Sequence, residues 1–244
     1  MAQPLQRQRR ERVLTRIRIV AQTGSTNADL LDDRLAQEGD WLVALAQDDG
    51  RGRQGRAWAG LRGNFHGSTV VTLAPSDPSA ATLAFAAGLA LIRAVEAAAP
   101  ATGLSLKWPN DLLLGRAKLG GILLERSGDR IVAGFGVNLA AAPDLPDRPA
   151  AALAEIALVS PEAFAPLIAA AFTRELARWR ADAVGQRALW LESAHPIGTP
   201  LSVHLGPAER AAGEFAGLDP DGALQLRLAD GSSRVIHAAD VQIV

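Results

Sequence analysis

The stretch QDDGRGRQGRAW, residues 47–58, packs three arginines and three glycines into positions 50–56. Arginine offers a planar, permanently charged fork that suits phosphate and carboxylate. Glycine lets the backbone approach a ligand closely and turn its N–H groups toward it. The chemistry this pairing points to is an anion clamp, on a loop able to close over what it binds. Three other readings compete. Gly50, Gly52 and Gly55 fit a dinucleotide fingerprint letter for letter, but that motif needs a helix opening at its glycines and an acid about twenty residues on. Here a loop with two more glycines follows. A nucleic-acid arm accounts for the arginines and leaves Asp48, Asp49 and Trp58 unexplained. A solvated surface loop accounts for the charge and not for the glycine spacing.

Four more segments carry chemistry-bearing residues: GSTN (24–27), KWPNDLLL (107–114), KLGGILLE (118–125) and GFGVNL (134–139). Taken singly, each has a plain structural reading. Ser25, Thr26 and Asn27 suit a helix cap. Trp58 suits a core, Asp111 a turn cap and Lys118 an exposed strand end. GFGVN suits a bulged strand. Taken together, in this order and spacing around the glycine–arginine loop, they resemble the biotin–protein ligase family (biotin–[acetyl-CoA-carboxylase] ligases), in its monofunctional form. The resemblance runs from about Thr23 to Asn138.

That resemblance implies an amide-forming ligase using ATP with Mg²⁺. Biotin would be activated to biotinyl-5′-AMP and then passed to one lysine of a biotin carboxyl carrier domain. Two anions must meet in the first step, so positioned cations and N–H donors are the expected catalysts. By the same resemblance, Ser25, Thr26, Asn27 and Gln47 hold the ureido end of biotin, and Gly50, Arg51, Gly52, Arg53, Gln54, Gly55 and Arg56 form the adenylate loop. Arg53 bridges carboxylate and α-phosphate, Arg56 contacts phosphate, and Trp58 stacks on adenine. Trp108-Pro109 sets an extended turn that projects Asn110 and Asp111 into the site; Asp111 serves the metal or the incoming amine. Lys118 neutralises carboxylate and phosphate beside the Gly120–Gly121 pair, with Gly121 against biotin. Gly134 and Gly136 line the biotin tail, and Asn138 meets ribose or phosphates. No metal ligand is assigned.

The sequence departs from the family at Asp48 and Asp49, two acids beside a phosphate clamp that must pair with Arg51 or Arg56 to be tolerated. It departs again at His66-Gly67, where a changed wall of the biotin pocket is expected. About twenty residues precede GSTN, too few for a DNA-binding domain, so no repressor activity is expected. A homodimer is open to this chain by the same resemblance. Two alternatives remain: a lipoate or octanoate–protein ligase-like acyltransferase, and a non-catalytic nucleotide-binding module.

These residues need elements to hold them. Residues 15–20, TRIRIV, alternate as a strand. Residues 25–39 read as a helix with Thr26 and Asp29 as a capping box, Leu30, Leu31 and Leu35 as its apolar face, and Gly39 as its end. WLVALAQ is a strand, residues 60–67 continue as loop, and STVVTL is another strand. Residues 79–98 form a buried, alanine-rich helix, too charged at Arg93 and Glu96 for a membrane span. LSLKW, DLLLG, AKLGGILLER and DRIVAGFGVNL form an antiparallel run. Pro143, Pro146 and Pro149 mark a loop, and Ser160-Pro161-Glu162 starts a helix. From residue 194, short strands and Asp-Gly turns announce a small β-barrel. The expected fold class is α+β: a mixed, largely antiparallel sheet with flanking helices, class II synthetase-like by the resemblance, over residues 1–193. An SH3-like β-barrel over residues 194–244 completes it.

Composition narrows the rest. The 244 residues are 48% hydrophobic, enough for a sizeable core. A net charge of −1 argues against a general nucleic-acid binder. With no cysteine, disulfides, thiolate nucleophiles and cysteine metal sites are excluded, and His66, His195, His204 and His237 lack zinc spacing. The N-terminal arginines are expected to be a solvated tail, since no apolar signal region follows them. A cytoplasmic protein with no membrane partner is expected.

Overall fold

A computed structural model describes residues 16–100, 102–145, 149–206 and 209–244. The expected arginine-rich tail (Arg7, Arg9, Arg10, Arg12) and Pro146 lie outside them. β1 (Ile17–Val20) and β2 (Trp41–Ala44) pair in parallel. β3 (Phe65–Thr72), β4 (Leu104–Lys107), β5 (Asp111–Leu114), β6 (Ala117–Ser127) and β7 (Arg130–Val137) complete a sheet in the order β1-β2-β3-β7-β6-β5-β4. Every pairing after the first is antiparallel. One parallel pair in an antiparallel sheet, flanked by helices, is the α+β arrangement expected.

Strand alternation gives this sheet two unlike faces. Trp41, Val43, Phe65, Val71, Ala133, Phe135 and Val137 point to the main core. There they meet α2 (Leu83–Ala98) and α3 (Pro161–Ala181). Phe172 stands edge-on to Trp41 and Phe135, and Phe164 to Phe65. Each such ring, fully buried, contributes ~1.5–3 kcal/mol. α2 is apolar nearly all round because it lies between sheet and helices; contrary to the expectation from sequence, Arg93 and Glu96 do not by themselves exclude a membrane span by length and composition, but its residues are mostly buried in this core. Ser160 caps α3 through its hydroxyl, with Pro161 opening the helix, as expected.

On the opposite face, Leu42, Val70 and Val132 pack under Leu30 of α1 (Thr26–Asp32). Helix α1 covers only part of that face, and the uncovered part is the cleft described below. α1 is much shorter than the expected 25–39 helix. Arg130, reaching across from β7, takes the carbonyls of Leu30, Asp33 and Ala36 at 2.7, 2.8 and 2.8 Å. A cation spending its donors on terminal carbonyls ends the helix there. Leu35 is 88% exposed and belongs to no apolar face. The cap is Ser25, whose Oγ accepts from the Ala28 N–H; Asp29 instead accepts from the Thr23 hydroxyl.

Two further expectations change. The loop expected over residues 60–67 gives way to strand at Phe65, because that ring is buried against Phe164 and its backbone pairs with Val137. The expected helix at residues 79–98 begins as a 3-10 turn, Ala80–Thr82, with α proper from Leu83. α4 (Ala183–Glu192) has no counterpart in the sequence reading; Asp182 caps it, and its Trp190 is buried against Phe85.

β8 (Pro200–His204), β9 (Arg210–Leu218), β10 (Leu224–Arg227), β11 (Ser233–Ile236) and β12 (Asp240–Ile243) form a small antiparallel β domain in the order β11-β10-β9-β8-β12. Its Leu201, Phe215 and Leu226 join the same core as Trp108 and Trp190. The Trp108 indole N–H donates to the Gly222 carbonyl at 2.9 Å across the junction.

Candidate active site

Sheet register lays out the cleft. Ala44, His66, Gly136, Gly121 and Asp111 stand in one row across five strands. Leu42, Ser68, Gly134 and Leu123 form the next row. Above them lies a cleft of about 900 Å³, closed at one end by the start of α1 and at the other by β12. That volume suits a ligand of cofactor size.

At the α1 end the side chains that line the cleft are uncharged. Residues 22–24 run beside 46–49, with Thr23 and Gln47 bridged in parallel, and this brings Ser25, Thr26 and Asn27 next to Gln47. The Gln47 Oε1 accepts from the Thr26 N–H at 2.8 Å and lies 3.0 Å from the Thr26 hydroxyl. The Thr26 and Ser68 hydroxyls are 2.7 Å apart, and Ser68 donates to Asn27 Oδ1 at 2.6 Å. Asn27 Nδ2 donates to Glu125 Oε2 at 2.7 Å and to the Leu123 carbonyl at 3.3 Å. Gly134 is required beneath this group, since a Cβ there would overlap the Asn27 amide.

The other end is charged. Asp111 is 5% exposed, with Lys118 at 2.5 Å and Lys107 at 3.0 Å from its two oxygens. Burial alone would raise its pKa; the two ammonium groups outweigh burial and hold the carboxyl below the usual range. Two lysines around one aspartate leave a surplus positive charge in the cleft. Trp108 and Pro109, joined by a cis peptide, lead into this site. Asn110 donates to the Ile122 carbonyl at 2.7 Å, which ties the turn to β6. The Lys118 ammonium also lies 5.4 Å above the Trp58 ring, a cation–π distance.

The glycine–arginine loop folds as a small hairpin, with the Gly52 N–H on the Arg56 carbonyl and the Trp58 N–H on the Gly50 carbonyl. Gln54 at φ 57° and Gly55 at φ 73° make its tip. It lays Trp58 on the sheet, where the indole fills the space that a Cβ on Gly136 would take. Arg53 and Arg56 reach the small β domain: Arg53 lies 3.5 Å from the Ala239 carbonyl, and Arg56 pairs with Asp240. Burial lowers the pKa of Arg53, but an arginine remains charged in any ordinary medium.

The pattern defining the biotin/lipoate A/B protein ligase family matches residues 18–140, and that of the biotin protein ligase C-terminal domain matches residues 203–244. The chain belongs to this ligase family. It is 41% identical over 242 residues to a biotin–[acetyl-CoA-carboxylase] ligase of Paracoccus denitrificans, covering 91% of this chain and 98% of the relative. The corresponding figures for the Mycobacterium tuberculosis ligase of the same name are 35% over 234 residues, 91% and 87%. The fold is shared with the Aquifex aeolicus biotin protein ligase in complex with biotin and ATP, with TM-score 0.82, 22% identity and 94% and 99% coverage.

Within this ligase fold, Ser25, Thr26, Asn27, Gln47, Arg51, Gly52, Arg53, Arg56, Trp58, Asn110, Asp111, Lys118, Gly121, Gly134, Gly136 and Asn138 all line the one cleft. Gly50 sits behind it, packed against the Trp58 carbonyl and Gln47. Asn138 is 2% exposed and spends its amide on the Lys118 and Ala151 carbonyls, which ties β7 to β6 and to the following loop. Asp49 pairs with Arg51 at 2.9 Å, while Asp48 accepts from Gln22. Arg56 finds its acid in Asp240 instead. His66 is buried; burial lowers its pKa, so the departure there places a neutral ring in the wall. Sequence reasoning missed Ser68, Glu125, Lys107 and Asp240. Glu125 and Lys107 stand inside motifs already singled out, and Ser68 follows His66 by one pleat.

Proposed function

We propose that the protein is a biotin–protein ligase that makes biotinyl-5′-AMP from biotin and ATP and transfers the biotinyl group to a lysine of a carrier domain. One observation supports this most: a neutral pocket of donors and acceptors opens directly onto the Lys118–Asp111–Lys107 cluster and the arginine hairpin. A ligand with a polar uncharged head and a carboxylate tail would place its tail among the cations. There the carboxylate oxygen bonds to the α-phosphorus, and the bond from that phosphorus to the bridging oxygen breaks as pyrophosphate leaves. Lys118 and Arg53 offset the charge of the two meeting anions. In the second step the carrier amine bonds to the acyl carbon and AMP departs. A carboxyl held below its usual range is a weak proton acceptor, so in this reading Asp111 serves to hold both lysines in place. Trp58 would stack on the adenine.

Mg²⁺ would arrive on the nucleotide. No group of three His, Cys, Asp or Glu able to cage a metal occurs among the described residues, and Asp111 is committed to two lysines. A phosphate-bound, largely hydrated ion fits such a site, and no step is assigned to it. Residues 1–193 would act as the catalytic unit and 194–244 as a domain that completes the cleft. A cytoplasmic setting, which supplies ATP and carboxylase carriers, suits the reaction.

The test is intact-mass analysis of a biotin carboxyl carrier domain after incubation with enzyme, biotin and MgATP. One biotinyl group on one carrier lysine is expected. Modification by lipoate or octanoate with none by biotin would move the protein to the lipoate branch of its family.

A further inference from the structure

We propose that Glu125 is a positioning residue: its carboxylate fixes the direction of a hydrogen-bond chain through Asn27, Ser68 and Thr26, and so decides which atoms the neutral pocket shows its ligand. This deepens the reading of that pocket as the seat of a cyclic urea and rests on it.

The direction follows from counting donors. Glu125 Oε2 and the Leu123 carbonyl are both acceptors, so the Asn27 atom facing them must be Nδ2. Asn27 Oδ1 then faces Ser68, which must donate its one hydroxyl proton there. With that proton spent, Ser68 can only accept from Thr26 at 2.7 Å, and Gln47 Oε1 at 3.0 Å is an acceptor too, so the single Thr26 hydroxyl proton is held between these two inward acceptors. The Thr26 hydroxyl is left with lone pairs to offer. Gln47 Oε1 takes the Thr26 N–H at 2.8 Å, which leaves Gln47 Nε2, beside Gly50, as a donor with no hydrogen-bond partner among the described residues. The pocket therefore presents an acceptor beside a donor. That pattern matches an N–H next to a C=O, which is one edge of a urea. Asn27 has both of its polar atoms engaged within the protein, so it acts through the chain and not on the ligand.

A neutral group in place of Glu125 would lose the anion that holds this order. Glutamine can offer Asn27 either its oxygen or its nitrogen. Only the longer bond to the Leu123 carbonyl, at 3.3 Å, then holds the Asn27 amide in its present orientation, and the reversed chain competes with it.

The experiment measures steady-state pyrophosphate exchange with biotin and ATP varied separately, with calorimetric biotin binding alongside. Glu125→Gln is expected to raise the biotin KM and Kd by about tenfold, leaving kcat and the ATP KM within about twofold. Asn27→Asp should weaken biotin at least as much, because two carboxylates then face each other. The double swap, Asn27→Asp with Glu125→Gln, restores a donor facing an acceptor and keeps Ser68 donating. It is expected to return the biotin KM to within about threefold of wild type. A Glu125→Gln enzyme with wild-type biotin KM, or a double variant no better than the worse single one, overturns the proposal. Should Glu125→Gln fail to fold, Ser68→Ala cuts the same chain, and a wild-type biotin KM there overturns it equally. Wild-type enzyme without biotin-dependent exchange would instead sink the functional reading on which this rests.

Discussion

The two ends of the cleft are built on opposite principles. At the α1 end, neutral groups facing the cleft are locked in a hydrogen-bond order anchored on one carboxylate, and the pieces come from a helix start and two strands, β3 and β6, on either side of β7. At the β12 end, charges from a hairpin, a turn, a strand and the small β domain face one another with positive charge in excess. A neutral head is recognised by the direction of each donor, so its pocket must be rigid. Anions are recognised mainly by charge, so their clamp tolerates a loop. Selection of the substrate and its activation are thereby separate tasks, joined by the sheet beneath them.

The sharpest way to break this separation is Lys118→Ala. It is expected to lower kcat for adenylation by about 10²–10³-fold, the loss typical of one preorganised donor. Biotin Kd should move far less, because the neutral pocket stays whole. Comparable losses in both, measured by pre-steady-state kinetics and calorimetry, would show that the two ends are not independent.

A smaller contrast comes from one strand. A Cβ on Gly134 overlaps the Asn27 amide, and a Cβ on Gly136 overlaps the Trp58 ring. Overpacking of this kind costs ~1–3 kcal/mol. Gly134→Ala is expected to raise the biotin KM about tenfold with little change for ATP. Gly136→Ala should raise the ATP KM as well, since it shifts the indole. Equal effects of both substitutions on both substrates would count against the division.

How much of this was legible in the sequence depended on range. The glycine–arginine loop, the KWPND turn and the strand run β4–β7 are contiguous, and their residue types state their task. What the sequence left hidden is held by partners far along the chain. The end of α1 is set by Arg130, about a hundred residues on, so local pattern carried the helix too far. The start of β3 is set by Phe65 finding Phe164 and Val137. Glu125 meets Asn27 across 98 residues. A signal for it did exist: Gly121, Leu123 and Glu125 alternate along β6, so a carboxylate shares the side of the strand that faces the cleft. Asp240 had no comparable signal, because only the docking of the small β domain brings it to Arg56.

The least effect on catalysis is expected from a group outside both ends. His195 is 6% exposed, packed on Phe215 between α4 and β8, and burial pushes its pKa down to about 4. An unfolded histidine titrates near 6.5. Between these values the unfolded chain binds the extra proton, so stability falls as pH falls from about 6.5 to 4. His195→Leu is expected to remove up to about 3 kcal/mol of that acid-side loss. Urea unfolding at pH 7 and pH 4.5 checks this, with activity at pH 7 unchanged. Identical pH dependence in both proteins would mean that His195 is not held neutral.

Biotin-dependent exchange of labelled pyrophosphate into ATP shows whether this cleft activates a carboxylate by joining it to adenylate. With MgATP present, exchange should appear only when biotin is added and should collapse in the Lys118→Ala enzyme. Exchange that proceeds without biotin, or that Lys118→Ala leaves intact, would contradict that activation.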